Sequence, residues 1–306
     1  MKKINILIPI YNEEESIAEL VHLISNVVED LKYNFSFTLI EDGSNDSSWE
    51  IIKNLHLNNF GMRKIKLSRN FGHQGAIFCG LNHFNEDAVL IIDSDFQDNP
   101  KYLPKLIDEW ENGNDIVLAK RIDRKESIFR KLLINFYFKI QNKLSEIFIP
   151  KNVGHFSLLD KKIVETINNF PENKKFLLGI RAYVGFKVSF VEVIKDKRKY
   201  GNPKMNLRKL LKLSSEGLIG FSTVPLNIIG VLGVLISLSA LGFAIYTFIL
   251  NVFMNEKVLN WDFGLTSIYF LSGIQLLSIS ILGQYIGKIF DETKNRPQYI
   301  VEELID

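Results

Sequence analysis

The chain has 306 residues and a formal net charge of +2, and 24% of its residues are charged. This length suits one large domain or two smaller parts, and the near balance of charges excludes binding of a polyanion through overall charge alone. The single cysteine, Cys79, excludes an internal disulfide and a cysteine-based zinc cluster, and its apolar neighbours favour a buried structural thiol.

The first apolar segment, residues 4–8, follows Met1 and two lysines. It is too short for the apolar core of a signal peptide, and Pro9 and the acidic run after Asn12 end it. We therefore expect a β-strand here, and we expect the N-terminal region to stay in the cytoplasm.

Strand-like and helix-like patterns alternate along the first part of the chain. Apolar runs predict strands at residues 4–8, 35–40, 65–67, 88–92 and 116–119. Amphipathic stretches predict helices at residues 17–31, 49–57, 76–84 and 102–112. Strands that alternate with helices predict an α/β fold with a doubly wound, mainly parallel sheet.

A polar cluster follows each of the first four predicted strands. The clusters are Pro9-Ile10-Tyr11-Asn12-Glu13-Glu14, Glu41-Asp42-Gly43-Ser44-Asn45-Asp46, Ser68-Arg69-Asn70-Phe71-Gly72 and Asp93-Ser94-Asp95-Phe96-Gln97-Asp98-Asn99-Pro100. The carboxyl ends of parallel strands meet at one edge of the sheet, where such folds bind ligands. Neither the GxGxxG fingerprint nor the P-loop motif occurs, so we expect side chains and a metal ion to hold a nucleotide.

Asp42 and the pair Asp93 and Asp95 are the main candidates in these clusters. Asp42 can accept hydrogen bonds from a ribose or a base, although a turn that caps the next helix is an alternative. Asp93 and Asp95 can bind Mg²⁺ or Mn²⁺ together with a diphosphate, although the same spacing also occurs in turns. Their position at a strand end, near Asp42 and Arg69, favours the metal interpretation.

Beyond the fifth strand the sequence predicts contact with a membrane. A basic cluster at residues 120–131 leads into an amphipathic helix at about residues 127–148. This pattern fits a helix on an anionic membrane surface, and a helix packed on the core is the alternative. A second interfacial helix is predicted at residues 205–223.

Two long segments without charged residues, at about residues 226–250 and 264–286, predict a transmembrane hairpin, with a buried hairpin of a soluble core as the weaker alternative. Basic residues flank the hairpin on both outer sides, so both ends are predicted in the cytoplasm. The predicted organisation is a cytoplasmic catalytic domain at 1–204, the interfacial helix at 205–223, the membrane hairpin at 224–288 and a cytoplasmic tail at 289–306.

The four polar clusters, in this order, make the chain resemble the family 2 glycosyltransferases of GT-A fold. More narrowly, the chain is similar to the polyprenyl-phosphate glycosyltransferases, such as dolichol-phosphate mannose synthase and bacterial GtrB. The likeness extends through Arg198-Lys199-Tyr200-Gly201-Asn202-Pro203-Lys204 and the apolar hairpin, so it covers nearly the whole chain.

The resemblance implies a role for each candidate residue. It implies nucleotide binding by Pro9, Tyr11, Glu13, Asp42 and Asp93. It implies metal and diphosphate binding by Asp93, Asp95 and Gln97, phosphate or acceptor binding by Gln97, Arg198 and Lys204, and catalysis by Asp95, Arg121 and His155. It also implies Mg²⁺ or Mn²⁺ as the cofactor and a homo-oligomer, a tetramer, in which residues 298–301 pair as a strand with a neighbouring subunit.

One segment, Val153-Gly154-His155-Phe156-Ser157-Leu158, departs from the pattern of the resemblance. Many relatives have Asp in place of His155 and Arg in place of Ser157, and that Asp is a proposed base or acceptor-positioning residue. His155 could act as a base, hydrogen-bond the acceptor phosphate or have only a structural role. Because a lipid phosphate is already anionic, we expect positioning and charge screening to dominate.

Together these features predict an inverting glycosyltransferase, multi-pass in the inner (cytoplasmic) membrane, with its catalytic domain in the cytoplasm. It would transfer one sugar from a nucleotide diphosphate sugar, with UDP favoured, to undecaprenyl or a similar polyprenyl phosphate, and no nucleic acid partner is expected. A processive polysaccharide synthase is one alternative, but no tryptophan lies in a QxxRW motif. A catalytically silent membrane scaffold or sugar-nucleotide sensor is another, and the intact Asp93 and Asp95 disfavour it.

Overall fold

The computed structural model describes residues 1–122, 150–173, 175–194, 223–250 and 261–306. The predicted helix at 127–148, nearly all of that at 205–223, Arg198 and Lys204 lie outside these described residues. The described residues fall into two compact units. The first comprises 1–122, 150–173, 175–194 and 296–306, and the second comprises 223–250 and 261–295.

The first unit is built around an eight-stranded sheet. Its strands are β1 (Lys3–Ile10), β2 (Asn34–Glu41), β3 (Gly61–Leu67), β4 (Ala88–Ile91), β5 (Ile116–Arg121), β6 (Val153–Asp160), β7 (Val188–Val193) and β8 (Val301–Ile305). Its helices are α1 (Ile17–Val28), α2 (Ser48–Asn54), α3 (His73–Asn82), α4 (Leu103–Glu111), α5 (Lys161–Asn168) and α6 (Leu177–Tyr183), with a 3₁₀ turn at Pro100–Tyr102.

The strand order is β7-β5-β6-β4-β1-β2-β3-β8. Pairing is parallel between β1 and β2, β1 and β4, β2 and β3, and β5 and β7. The strand β6 runs antiparallel between β4 and β5, and β8 runs antiparallel to β3. The predicted doubly wound, mainly parallel α/β sheet is therefore confirmed.

Helices cover both faces of the sheet because β1 is apolar on both sides. Ile6 and Ile8 of β1 lie in the same buried cluster as Leu20 of α1. Leu7 points the other way and packs against α3, where a Cβ at Gly80 would lie 2.1 Å from Leu7 Cδ1. This continuous burial is typical of a strand in a parallel sheet covered on both faces.

The strand β1 is longer than predicted, and it contains Pro9 and Ile10, which were expected in the exit loop. All eight residues from Lys3 to Ile10 are in register with β2, but only Ile4 to Leu7 are in register with β4. Pro9 therefore lies beyond the segment that has a partner on both sides, where a residue without an N–H is tolerated in a sheet.

The helix α3 begins at His73, three residues before its predicted start. Gly72 precedes it with a φ of +86°, a conformation that glycine adopts without strain. His73 and Gln74 therefore belong to the first turn of a helix rather than to a loop. The helix fixes the backbone positions from which their side chains extend.

In the single chain described, the C-terminal tail pairs with β3, and the pairing of residues 298–301 with a neighbouring subunit stays a prediction. Val301 is in register with Leu67 and Ile305 with Lys64, and the N–H of Ser68 donates to the carbonyl of Ile300 over 3.0 Å. The exposed edge of β3 accepts this strand because it is otherwise unpaired.

The second unit consists of two helices, α7 (Val224–Ile249) and α8 (Trp261–Thr293), which contact each other. Both are long and apolar enough to cross a membrane, and they contain the two predicted spans apart from the last residue of the first. Large apolar side chains such as Leu238 and Leu276 are 60% and 69% exposed, as expected for helices whose surface faces lipid.

Candidate active site

The first two polar clusters are joined by hydrogen bonds between their loops. The N–H of Asn12 donates to Ser44 Oγ over 2.9 Å, and the N–H of Asn45 donates to Asn12 Oδ1 over 2.9 Å. The N–H of Glu13 donates to Ser48 Oγ over 3.0 Å. The loop that carries the predicted nucleotide ligands Tyr11 and Glu13 is therefore fixed against the loop after β2.

The second and third clusters meet at Asp42, which is only 2% exposed. Its Oδ1 accepts a hydrogen bond from the N–H of Phe71 over 2.7 Å, and Asn70 Nδ2 donates to its carbonyl over 3.1 Å. Gly43, with a φ of +64°, packs so closely that a Cβ there would lie 2.4 Å from the backbone of Arg69. The prediction that these clusters share one edge of the sheet is confirmed.

Burial raises the pKa of Asp42 to about 6. Hydrogen bonds from the backbone at Phe71 and Gly72 and the charge of His73 lower this pKa, whereas the charge of Glu41 raises it further. Burial therefore destabilises the ionised form of Asp42 unless it accepts a further hydrogen bond. This is expected of a carboxylate that accepts a hydrogen bond from a ligand.

Asp93 and Asp95 follow β4 at the same edge. Ser16 Oγ donates to the carbonyl of Ser94 over 3.3 Å, which ties this segment to the first loop region. Asp95 Oδ1 accepts from the N–H of Gln97 over 3.1 Å, and Phe96 between them has a φ of +59°. The segment is therefore a turn, and this turn presents two carboxylates near the loop that follows β1.

His73 is a residue that the sequence analysis did not select. Its Nε2 lies 3.2 Å from Asp93 Oδ1, and its side chain remains 41% exposed. Burial lowers the pKa of His73, but attraction to Asp93, with smaller contributions from Asp42 and Asp95, outweighs this and raises it. A correct start for α3 would have drawn attention to this histidine.

His155 of β6 lies beside His73, with 4.6 Å between the ring centroids. Its Nε2 is 3.2 Å from Gln74 Nε2. Burial lowers the pKa of His155 to about 3, helped by the charges of His73, Arg181 and Arg121 and opposed by Asp93. The structure therefore places His155 against the predicted metal-binding turn as a neutral imidazole.

Arg121 is placed at the end of β5, between the fourth cluster and β6. Its Nη2 lies 3.6 Å from Asp98 Oδ1, and Asp98 is 3% exposed. A Cβ at Gly154 would lie 2.9 Å from the same Nη2, so glycine leaves room for the guanidinium. Arg121 is thus a partly buried cation next to both His155 and the carboxylate turn.

Arg181 of α6 is a second residue that sequence analysis missed, and it is only 3% exposed. Its Nη1 donates to Ser157 Oγ and its Nη2 donates to the carbonyl of Gly154, each over 2.7 Å. Ser157 Oγ in turn donates to the carbonyl of His155 over 2.7 Å. Burial lowers the pKa of Arg181 to about 10.

The carboxylate turn fits a hard divalent cation. In the part of the chain that the structure describes, no group of three or more His, Cys, Asp or Glu side chains could hold a metal ion. Mg²⁺ is nevertheless commonly bound by one or two carboxylates together with water and substrate phosphates. Asp93 and Asp95 supply such a pair, and the contact described for Oδ1 of Asp93 is the ion pair with His73 at 3.2 Å.

Comparison with known proteins identifies the family. The sequence profile described as "Glycosyl transferase family 2" matches residues 5–167. The bactoprenol glucosyl transferase of Shigella phage SfX is 36% identical over 301 residues, covering 98% of this chain and 99% of that protein. An uncharacterized glycosyltransferase of Bacillus subtilis is 35% identical over 300 residues, covering 98% of this chain and 93% of that protein.

Solved structures support the same fold. Glucosyl-3-phosphoglycerate synthase from Mycobacterium tuberculosis, in complex with phosphoglyceric acid, superposes with a TM-score of 0.50 at 19% identity, covering 71% of this chain and 78% of that chain. The GT-A fold that the resemblance implied is confirmed. The chain belongs to glycosyl transferase family 2, and it is a glycosyltransferase.

Proposed function

We propose that this enzyme transfers a single sugar from a nucleotide diphosphate sugar, UDP-linked, to a polyprenyl phosphate at the cytoplasmic face of a membrane. The observation that carries the proposal is the carboxylate turn, Asp93 and Asp95, which lies at the same sheet edge as the buried Asp42 in a chain with two membrane-length helices. Its similarity to bactoprenol glucosyl transferases along nearly the whole chain supports the acceptor class.

The nucleoside would bind on the side of the edge formed by the first two loops. Asp42 would accept hydrogen bonds from the base or ribose, and Pro9, Tyr11 and Glu13 would line the pocket. The buried position of Asp42 supports this role, because its carboxylate is held by Phe71 in a fixed direction. A fixed acceptor discriminates between bases better than a mobile one.

The diphosphate would lie at the carboxylate turn. Asp93 and Asp95 would hold Mg²⁺ or Mn²⁺, which supplies charge neutralisation of the leaving diphosphate. Gln97, two residues on, and Arg121, placed next to His155 and Asp98, would contact phosphate oxygens. A guanidinium suits this task because its planar fork matches phosphate geometry.

The reaction needs few proton transfers from the protein. An anionic oxygen of the acceptor phosphate attacks the anomeric carbon, and the bond from that carbon to the diphosphate oxygen breaks as the new bond forms. The bonding pair leaves with UDP, and the configuration at the anomeric carbon inverts. Asp42, Arg121 and the carboxylate turn then act mainly by orientation and electrostatics. Arg198 and Lys204 are assigned to phosphate binding on the basis of the resemblance.

The test is direct transfer to lipid. Purified protein with polyprenyl phosphate, Mg²⁺ or Mn²⁺ and a panel of radiolabelled UDP-sugars should yield one labelled polyprenyl phosphosugar, carrying one sugar per lipid. Products with growing glycan chains would indicate a processive synthase instead. Binding of a UDP-sugar without labelled lipid for any donor would favour a sensor, and the proposed transfer would be rejected.

A further inference from the structure

The hydrogen bonds of Gln74 determine which nitrogen of His155 carries a hydrogen. Gln74 Oε1 accepts from the backbone N–H of Leu177 over 3.1 Å. A backbone N–H can only donate, so this contact fixes the orientation of the Gln74 amide. The amide nitrogen, Nε2, therefore points to His155 Nε2 at 3.2 Å. Because the amide nitrogen is a donor only, His155 Nε2 must be the acceptor.

With Nε2 as an acceptor, the hydrogen of the neutral imidazole lies on Nδ1. That nitrogen is buried and has no hydrogen-bond partner among the described residues. Buried polar groups nearly always have a partner, and one left without a partner at a functional site calls for a ligand. The N–H on Nδ1 needs an acceptor atom, and phosphate oxygens are acceptors.

The backbone that carries His155 is held rigidly. Arg181 donates to the carbonyl of Gly154 on one side and to Ser157 on the other, and Ser157 donates to the carbonyl of His155 itself. Gln74 ties the ring to the start of α6 through Leu177. The imidazole is thus fixed in position and in tautomer before any ligand binds, and Arg121 lies beside the preceding residue.

We propose that Gln74 holds His155 as the neutral Nδ1–H tautomer, and that His155 donates this hydrogen to a phosphate oxygen of the substrates rather than accepting a proton as a base. This inference rests on the proposed function for the identity of the ligand. It makes His155 a catalytic residue that stabilises phosphate, and it makes Gln74 and Arg181 positioning residues.

Two substitutions of His155 separate a donor from a base. The amide nitrogen of His155→Asn can take the place of Nδ1 and donate, but it cannot accept a proton. We expect the rate of sugar transfer by His155→Asn to stay within about tenfold of the wild-type rate. We expect His155→Leu to lower that rate by about a hundredfold, as when one fixed hydrogen-bond donor is removed. An Asn variant as inactive as the Leu variant would establish the base and overturn the proposal.

The source of the phosphate is resolved by two measurements on the Leu variant. Weaker binding of UDP alone assigns the oxygen to the donor diphosphate, whereas a higher KM for polyprenyl phosphate assigns it to the acceptor. If UDP affinity, acceptor KM and kcat all match the wild type, His155 contacts no phosphate and the proposal fails. His22→Asn, at an exposed histidine of α1, is the matched control and should leave all three values unchanged.

Gln74→Glu tests the positioning role because it changes one contact only. The Glu carboxylate can still accept from Leu177, but it offers His155 an acceptor instead of a donor, so the hydrogen should move to Nε2. Nitrogen-15 NMR of histidine-labelled enzyme should show a protonated Nδ1 for His155 in the wild type and a protonated Nε2 in the variant, with transfer reduced at least tenfold.

This spectrum is read without catalysis, so it stays informative if no UDP-sugar supports transfer. A protonated Nε2 in the wild type would overturn the tautomer assignment even in a fully active enzyme. Absent transfer with a protonated Nδ1 would reject the proposed function and leave the tautomer assignment intact.

Discussion

The carboxylate of Asp42 and the backbone N–H of Phe71 are 2.7 Å apart and join the loops that follow β2 and β3. This contact fixes the direction of a buried carboxylate and lowers its pKa, but burial acts more strongly in the opposite sense. Burial raises its pKa from 3.8 to about 6, so Asp42 takes up a proton within a pH range in which the enzyme can be assayed.

We predict that affinity for UDP falls on acidification through pH 6. If the ionised carboxylate of Asp42 accepts a hydrogen bond from the nucleoside, protonation weakens binding, by about tenfold at pH 5. Isothermal titration calorimetry with UDP between pH 5 and pH 8 measures this. Asp42→Asn should bind weakly at every pH and lose the slope; a slope that persists in this variant would assign the titration to another group.

The same shift predicts a pH-dependent stability. Because the folded-state pKa of Asp42 lies above its unfolded value, the acid stabilises the fold below about pH 4, and this contribution is lost as pH rises through about 6. Asp42→Asn should therefore raise the melting temperature relative to the wild type more at pH 8 than at pH 4. Equal differences at the two pH values would contradict the raised pKa.

We predict that Asp95→Asn lowers the rate of sugar transfer by at least about a hundredfold, since it removes one charge from the proposed metal and diphosphate site. Transfer assays over a range of Mn²⁺ concentrations provide the measurement. Asp108→Asn, at an exposed acid of α4, is the matched control. An Asp95→Asn enzyme with more than half of the wild-type rate would remove Asp95 from the metal site.

Arg181→Lys should lower the free energy of unfolding by about 1–3 kcal/mol, although it conserves charge. A single ammonium cannot reproduce the two directed donors to Ser157 and the Gly154 carbonyl, so a buried acceptor is left unsatisfied. Thermal unfolding in detergent measures the effect, and Lys105→Arg at an exposed position of α4 is the control. Equal stability of the two variants would show that the contacts are replaceable.

Removal of residues 301–306 should lower the melting temperature and promote aggregation. The truncation strips β8 from β3 and leaves an unpaired strand edge. The double variant Glu302→Gln and Glu303→Gln is the control, because it removes only the surface ion pairs to Lys66 and Lys53, which contribute little. If the truncated chain melts like the control, β8 is dispensable for the fold.

The membrane topology can be determined by labelling single introduced cysteines in a Cys79→Ser background, since Cys79 is the only native cysteine. We predict that a membrane-impermeant maleimide labels Asn255→Cys in intact cells and labels Lys294→Cys only after permeabilisation. This outcome follows from the basic residues that flank the hairpin. The reverse pattern would place the catalytic unit outside the cell.

The sequence was most informative where polarity changes abruptly. The apolar runs that lead to Asp42 and to Asp93 located two strands and the polar loops that follow them, because a buried parallel strand and its polar exit leave a strong local pattern. The antiparallel insertion of β6 between β4 and β5 leaves no such pattern. This insertion depends on pairing between segments that are distant in sequence, and hydrophobic periodicity along the sequence does not reveal such pairing.

Two site residues were missed for specific reasons. Gly72 adopts a positive φ and starts α3 early, so His73 was assigned to a loop when it lies in a helical turn against Asp93. Arg181 sits in a short apolar helix, where an arginine suggests an exposed position. Its burial is understandable only once the carbonyl of Gly154 and the hydroxyl of Ser157 are seen beside it.

The register of β8 on β3 orders the events of biosynthesis. Strand β3 is synthesised long before its partner, residues 301–305. Until those residues are made, the nascent sheet carries an open edge, although α7 and α8 already exist. We infer that this edge of the sheet closes late, in a long-range step of the kind that slows folding and invites chaperone assistance.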